Sequence, residues 1–126
     1  MKPETEEIDK NPEGALYGRI FGILPDRDKL KSLNASLTSL GTVVIEALDG
    51  PAGIAKLEEW KEEVAQYFFG DMEGEMLQRY SDAAKDRLIV FSIVVDSGEA
   101  NGIGEIAKAN GAFEVTHFGN SAITNY

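Results

Sequence analysis

Along this chain the apolar residues switch between strand-like and helix-like spacing, and the switches fall at glycine, proline and aspartate. Residues 15–24 (Ala-Leu-Tyr-Gly-Arg-Ile-Phe-Gly-Ile-Leu) read as a first strand, which Pro25 ends. Asp26 then stands where a helix N-cap is expected, and Leu30, Leu33, Leu37 and Leu40 follow at helical spacing up to Gly41. Residues 42–48 are β-branched and compact, a second strand. Asp49-Gly50-Pro51 is a turn that sets proline at the start of the next helix. That helix, over residues 51–69, carries Ile54, Leu57, Val64 and Phe68 on one stripe, with Trp60 and Tyr67 along its edge. Gly70 breaks it, and Asp71 starts a third helix with Met72, Met76, Tyr80 and Ala83 on its apolar side.

Residues 88–95 are apolar on both faces, the pattern of a central strand covered on both sides. Asp96-Ser97-Gly98 turns the chain, with Ser97 as a cap, into a helix that directs Ala100, Ile103, Ile106 and Ala107 inward and ends at Gly111. Residues 113–118 alternate and form a last, half-exposed strand. The predicted order is β-α-β-α-α-β-α-β. It fits an α+β chain with a ferredoxin-like α/β plait: a four-stranded, mainly antiparallel sheet, helices on one face, and an extra helical pair between strands 2 and 3. An open flavodoxin-like sheet is the alternative and would want more strands. Four strands covered on one face leave an apolar face for the intervening helices or a second subunit to cover. Residues 1–14 are acidic and nearly without apolar groups, and are expected to be a flexible tail; residues 15–126 are expected to make one domain.

Composition narrows the function classes. The 22 acidic against 12 basic residues give a net charge of −10, a surface that repels nucleic-acid backbones and anionic lipid. No nucleic-acid or membrane partner is expected. The absence of cysteine removes disulfides, thiolate nucleophiles and cysteine metal sites, and favours a reducing compartment. Without an apolar leader or a run of about 20 apolar residues, a cytoplasmic location is expected.

Residues 76–118 (Met-Leu-Gln-Arg-Tyr-Ser-Asp-Ala-Ala-Lys-Asp-Arg-Leu-Ile-Val-Phe-Ser-Ile-Val-Val-Asp, on to Ala-Asn-Gly-Ala-Phe-Glu-Val-Thr-His-Phe) resemble the general stress protein family of bacteria, the heat-induced stress domains. Tyr80 on a helix, the strand 88–95, and Gly111-Ala112 before Val115 carry the likeness. The first half agrees in layout, with a strand, a leucine-rich helix and a Gly-Thr-Val-Val strand. Family members often have a glycine-rich helical segment between the second and third strands; here a charged amphipathic helix with Trp60 stands there, which argues against membrane association. The resemblance implies a small stress-linked domain with no catalytic residues to carry over.

No side chains form an evident catalytic set, and no cofactor or metal is expected. His117, the single histidine, has only Glu114 and Thr116 as polar neighbours on its strand. Glu58, Glu59, Glu62 and Glu63 form carboxylate rows at helical spacing, but Lys56 and Lys61 and open water make this a solvated face. Gly98, Gly102 and Gly104 follow a strand, yet Ala107 stands where a dinucleotide loop needs its third glycine, and Glu99 and Glu105 would repel phosphate. Residues 49–53 open a helix with no basic residue at hand, and read as a turn. No serine or threonine has a base at diagnostic spacing.

The cluster of Trp60, Tyr67, Phe69, Met72 and Met76 reads as core or as an interface with a second copy or protein partner. The expected function is a non-enzymatic stress-associated or regulatory domain acting by self-association, as a homodimer, or by protein binding. A small-ligand sensor with a pocket between the sheet and the inserted helices is the alternative. A third reading, a dimeric-barrel enzyme, would require a deep pocket near His117, Tyr80 or Arg79.

Overall fold

The computed structural model describes residues 16–40, 45–66, 71–119 and 123–126. Within them lie β1 (Arg19–Leu24), α1 (Arg27–Thr38), β2 (Ile45–Ala47), α2 (Gly50–Val64), α3 (Asp71–Lys85), β3 (Ile89–Val94), α4 (Ala100–Ala109), β4 (Phe113–Phe118) and β5 (Ile123–Asn125). The strands make one sheet in the order β2-β3-β1-β4-β5, antiparallel at every pairing. The chain is therefore α+β with a five-stranded sheet, one strand more than the sequence predicts. The expected tail 1–14 lies outside the described residues.

The fifth strand is short, and its anchoring is in three dimensions. The Tyr126 backbone N–H donates to the Val115 carbonyl at 2.9 Å. The Tyr126 ring lies on Gly104 of α4, where an added Cβ would come within 3.0 Å of it. Its hydroxyl donates to Asn101 Oδ1 at 2.8 Å.

Side-chain alternation along the central strands divides the core in two. Ile20 and Leu24 of β1 and Ile89, Phe91 and Ile93 of β3 pack with Leu33 and Leu37 of α1 and Ile103 and Ala107 of α4. Phe21 and Ile23 of β1, Val90 of β3 and Phe118 of β4 pack with Leu57, Trp60 and Val64 of α2 and Met76, Leu77 and Tyr80 of α3. The helices therefore lie on both faces, not one. The inserted pair α2–α3 covers the sheet face on which self-association was expected to rest. Phe21 is the hub of that second core: its ring stacks on Tyr80 at 5.3 Å and meets Trp60 at 5.5 Å and Phe118 at 5.2 Å edge-on. Such aromatic contacts add about 0.5–1.5 kcal/mol each beyond area burial.

Gly22 is dictated by a close approach: a Cβ there would meet the Phe91 ring at 2.5 Å. Opposite it, β4 carries one residue more than β1 between Phe113 and Thr116, a bulge. Glu114 within that bulge has φ +52°, the left-handed region. Before α4 a short 3-10 turn spans Ser97–Glu99, so Glu99, not Ser97, holds the N-cap position, and it does so without a side-chain bond. Among the described residues no helix is long and apolar enough to cross a membrane.

Candidate functional site

At one end of the sheet β1 and β2 finish, α1 and α2 begin, and α3 hands over to β3. A cleft of about 450 Å³ opens there, lined by Pro25, Asp26, Arg27, Asp49, Gly50, Ala84, Arg87, Leu88 and Ile89. Its size is that of a small-molecule site, which usually spans about 300–1,000 Å³. The floor is apolar, from Pro25, Ala84, Leu88 and Ile89; the rim carries two arginines and two aspartates.

Asp26, Arg27 and Asp49 are placed by ordinary local rules. Asp26 caps α1, its Oδ1 accepting the Lys29 backbone N–H at 3.0 Å. Arg27, the first residue of α1, donates from Nη2 to Asp49 Oδ2 at 2.6 Å. Asp49 stands at the N-cap position of α2 but makes no capping bond, and Pro51 removes one of the amides it could serve. Gly50 beside it has φ +77°, which glycine adopts readily. Gly53 presses α2 against the strand end: a Cβ there would lie 2.1 Å from the Leu48 carbonyl carbon.

Arg87 breaks the local rule. It closes α3 with φ +71°, where an arginine costs about 1–2 kcal/mol relative to ordinary backbone and glycine does not. Its backbone N–H reaches the Ala84 carbonyl at 3.1 Å, and Leu88 N–H reaches the Ala83 carbonyl at 3.0 Å. The residue is exposed, is one of those lining the cleft, and its side chain has no ion pair or hydrogen bond among the described residues.

The residues singled out from the sequence lie elsewhere, and they do not converge. Tyr80 is fully buried, and its hydroxyl donates to the Glu114 carbonyl at 2.6 Å. Burial pushes its phenol well above the usual tyrosine range, against the lowering effect of a Thr116 hydrogen bond. Arg79 Nη1 donates to Glu114 Oε1 at 3.2 Å. Both therefore hold the bulge in β4, a structural task. His117 pairs with Ile20 and Thr124 on the opposite face of the sheet, half-buried, and burial lowers its imidazole below the usual 6.5. The cleft includes none of the three.

Trp60 and Met76, read as possible interface residues, are 1% and 7% exposed and belong to the core of this single chain, because α2 and α3 close over the sheet. Met72 is 59% exposed at the start of α3. Tyr67 and Phe69 lie outside the described residues.

Two sequence readings change with the fold in view. Glu58 is not simply a solvated carboxylate: it accepts Ser81 Oγ–H at 2.7 Å and pairs with Lys61 at 3.4 Å and Lys85 at 3.7 Å, tying α2 to α3. The Ser81 hydrogen bond, with help from both lysines, lowers its pKa below the usual 4.5. And residues 49–53 do have a basic partner, since Arg27 arrives from the preceding strand–helix unit.

Sequence reasoning missed Arg19 altogether. It is 3% exposed in β1, donates to Glu46 at 3.1 Å and Ser92 at 2.9 Å, and lies 5.1 Å from the centre of the Trp60 ring. A buried guanidinium needs such partners. One arginine in an apolar strand was the only signal for it. Among the described residues no group of acidic and histidine side chains is placed to hold a metal ion. No family model matches the chain, and no curated protein and no solved structure matches it.

Proposed function

We propose that this chain is a non-enzymatic sensor domain that binds a small ligand in the cleft between α1, α2 and the end of α3. The observation that carries the reading is Arg87, a cleft-lining residue with no side-chain partner among the described residues, held in a backbone conformation that favours glycine. Residues in sparsely allowed backbone regions gather at binding sites, because surrounding structure has to hold them there. The apolar floor and charged rim add the usual features of a ligand site, surface to bury and groups to orient what is buried.

The scaffold reads as a ferredoxin-like plait with one added edge strand. The run β2-β3-β1-β4, antiparallel throughout, supports that reading. The link to the general stress proteins rests on the residues quoted above, and on that reading the sensor serves a stress response.

Native mass spectrometry of the gently purified protein tests the proposal. The expected result is a defined extra mass on the wild-type chain that is absent from Arg87→Gly. A dimer with no adduct would overturn it in favour of self-association. An adduct that Arg87→Gly retains would place the site elsewhere.

A further inference from the structure

The cleft has a particular charge arrangement. Asp26 is committed to the start of α1, where its side chain accepts the Lys29 amide. Arg27 and Asp49 are committed to each other across 2.6 Å, although 63% and 23% exposed, so their bond is the weak, solvent-screened kind. Arg87 is left as a guanidinium on the rim that has no anionic partner among the described residues. Asp49, for its part, stands at the start of α2 and leaves the amides of that 15-residue helix uncapped by its side chain. An aspartate there is ordinarily a cap. Two arginines therefore line one cleft, and one of them holds an anion that has another place to go.

Resting on the cleft being the ligand site, we propose that it takes a small oxyanion, a phosphate or carboxylate group, between the guanidinium groups of Arg87 and Arg27. Binding exchanges partners. The oxyanion takes Arg27, and the Asp49 carboxylate turns to the amide of Ala52 in the first turn of α2, the one its position can cap once Pro51 is set aside. Three observations favour the exchange. A planar guanidinium donates two parallel bonds to an oxyanion, so the incoming group replaces the carboxylate of Asp49 like for like. Asp49 holds the N-cap position of α2 with extended backbone, φ −94° and ψ 166°, the conformation from which a capping side chain reaches its helix. The positive end of a helix stabilises the carboxylate once it has left Arg27. No covalent step is involved; the consequence is a tightened first turn in α2, the helix that carries Trp60 over the sheet.

The experiment is a heteronuclear NMR titration of the full chain with inorganic phosphate and, separately, with acetate, at constant ionic strength. The expected result is saturable movement of the Arg27 and Arg87 side-chain signals, with the Ala52 amide moving at the same midpoint. Saturation by both ions, or by one alone, supports the oxyanion class and says whether the natural group is phosphate, carboxylate or either. Arg87→Gly should weaken the response about tenfold, the loss of one charge-assisted bond. Asp49→Ser, which caps α2 without holding Arg27, should show the shifted Ala52 amide before any ion is added. It should also bind roughly two- to fivefold more tightly, the equivalent of an exposed ion pair removed. Arginine signals that saturate while the Ala52 amide stays still would overturn the exchange and leave the site. No saturation with either ion would overturn the oxyanion class, whereas the retained mass above tests the cleft for ligands of any chemistry.

Discussion

Helices α3 and α4 end in the same way. In each, the residue just past the helix turns to positive φ, its N–H bonds back three residues, and the next N–H bonds back five. At α4 these are Gly111 to Lys108 and Ala112 to Ala107, both 3.0 Å; at α3 they are Arg87 to Ala84 at 3.1 Å and Leu88 to Ala83 at 3.0 Å. The backbone solution is shared, and the residue is not. Glycine takes this conformation with no penalty from a Cβ, so α4 ends in the inexpensive way. α3 ends with an arginine whose side chain gives nothing to the cap and which is one of the residues lining the cleft. The difference separates what a helix end requires from what this position carries in addition.

That contrast can be broken at the cleft first. Gly53→Ala should have the largest effect, because its Cβ would collide with Leu48 backbone, which cannot rotate away. A loss of about 2–3 kcal/mol is expected from such overpacking, read as a lower urea midpoint, with oxyanion binding lost as Asp49 and Gly50 shift. Next, Gly111→Arg gives α4 the ending of α3. With only Lys29 side-chain carbons near, at 3.5 Å, the cost is backbone alone, about 1–2 kcal/mol by chemical denaturation. Arg87→Gly goes the other way, with a gain of about 0.5–1 kcal/mol once the greater freedom of glycine in the unfolded chain is counted. A variant that is steadier yet no longer binds would be the signature of a site built against the interest of the fold. The chain carrying both exchanges should not regain binding, since the cleft is lined by residue 87 and not by residue 111.

The smallest effects come with acid, and they touch the two faces at different pH. His117 has a folded pKa below its usual 6.5, so the unfolded chain takes the proton more readily and stability falls as the pH drops below that value. Glu58 is also lowered, from 4.5; its contribution is complete above that value and is lost as the pH falls through the folded pKa. Urea midpoints measured against pH should show the first decline disappear in His117→Gln and the later one shrink in Glu58→Gln.

Much of the scaffold was legible because it follows period and punctuation. Leu33 and Leu37 are buried where helical spacing puts them, and residues 89–93, apolar except for Ser92, are buried on both faces as that run requires. Among the described residues Leu48 falls outside the second strand, which ends at Ala47, and Ala65 and Gln66 fall outside the second helix, which ends at Val64. β5 was illegible since three residues carry no period, and a ring docked on Gly104 is a contact no local pattern announces. The cleft was illegible for a related reason. Arg27, Asp49 and Arg87 come from three separate junctions, and at each one the local reading, a helix start, a turn or a helix end, already accounts for the residue. Only backbone dihedrals show that Arg87 is out of place.

The sheet also has a consequence for how the chain is made. Its central strand, β1, comes from residues 19–24, but both of its neighbours are drawn from far along the chain, 89–94 and 113–118. During synthesis Phe21 and Ile23 have no strand beside them until the second half has left the ribosome, a wait of roughly 4–14 s at ordinary elongation rates. The α2–α3 pair emerges in that interval with the aromatic surface of Trp60 and Tyr80 uncovered. Nascent chains of this design are exposed to aggregation for most of their translation, and a chaperone that shields that hairpin would act before the sheet exists.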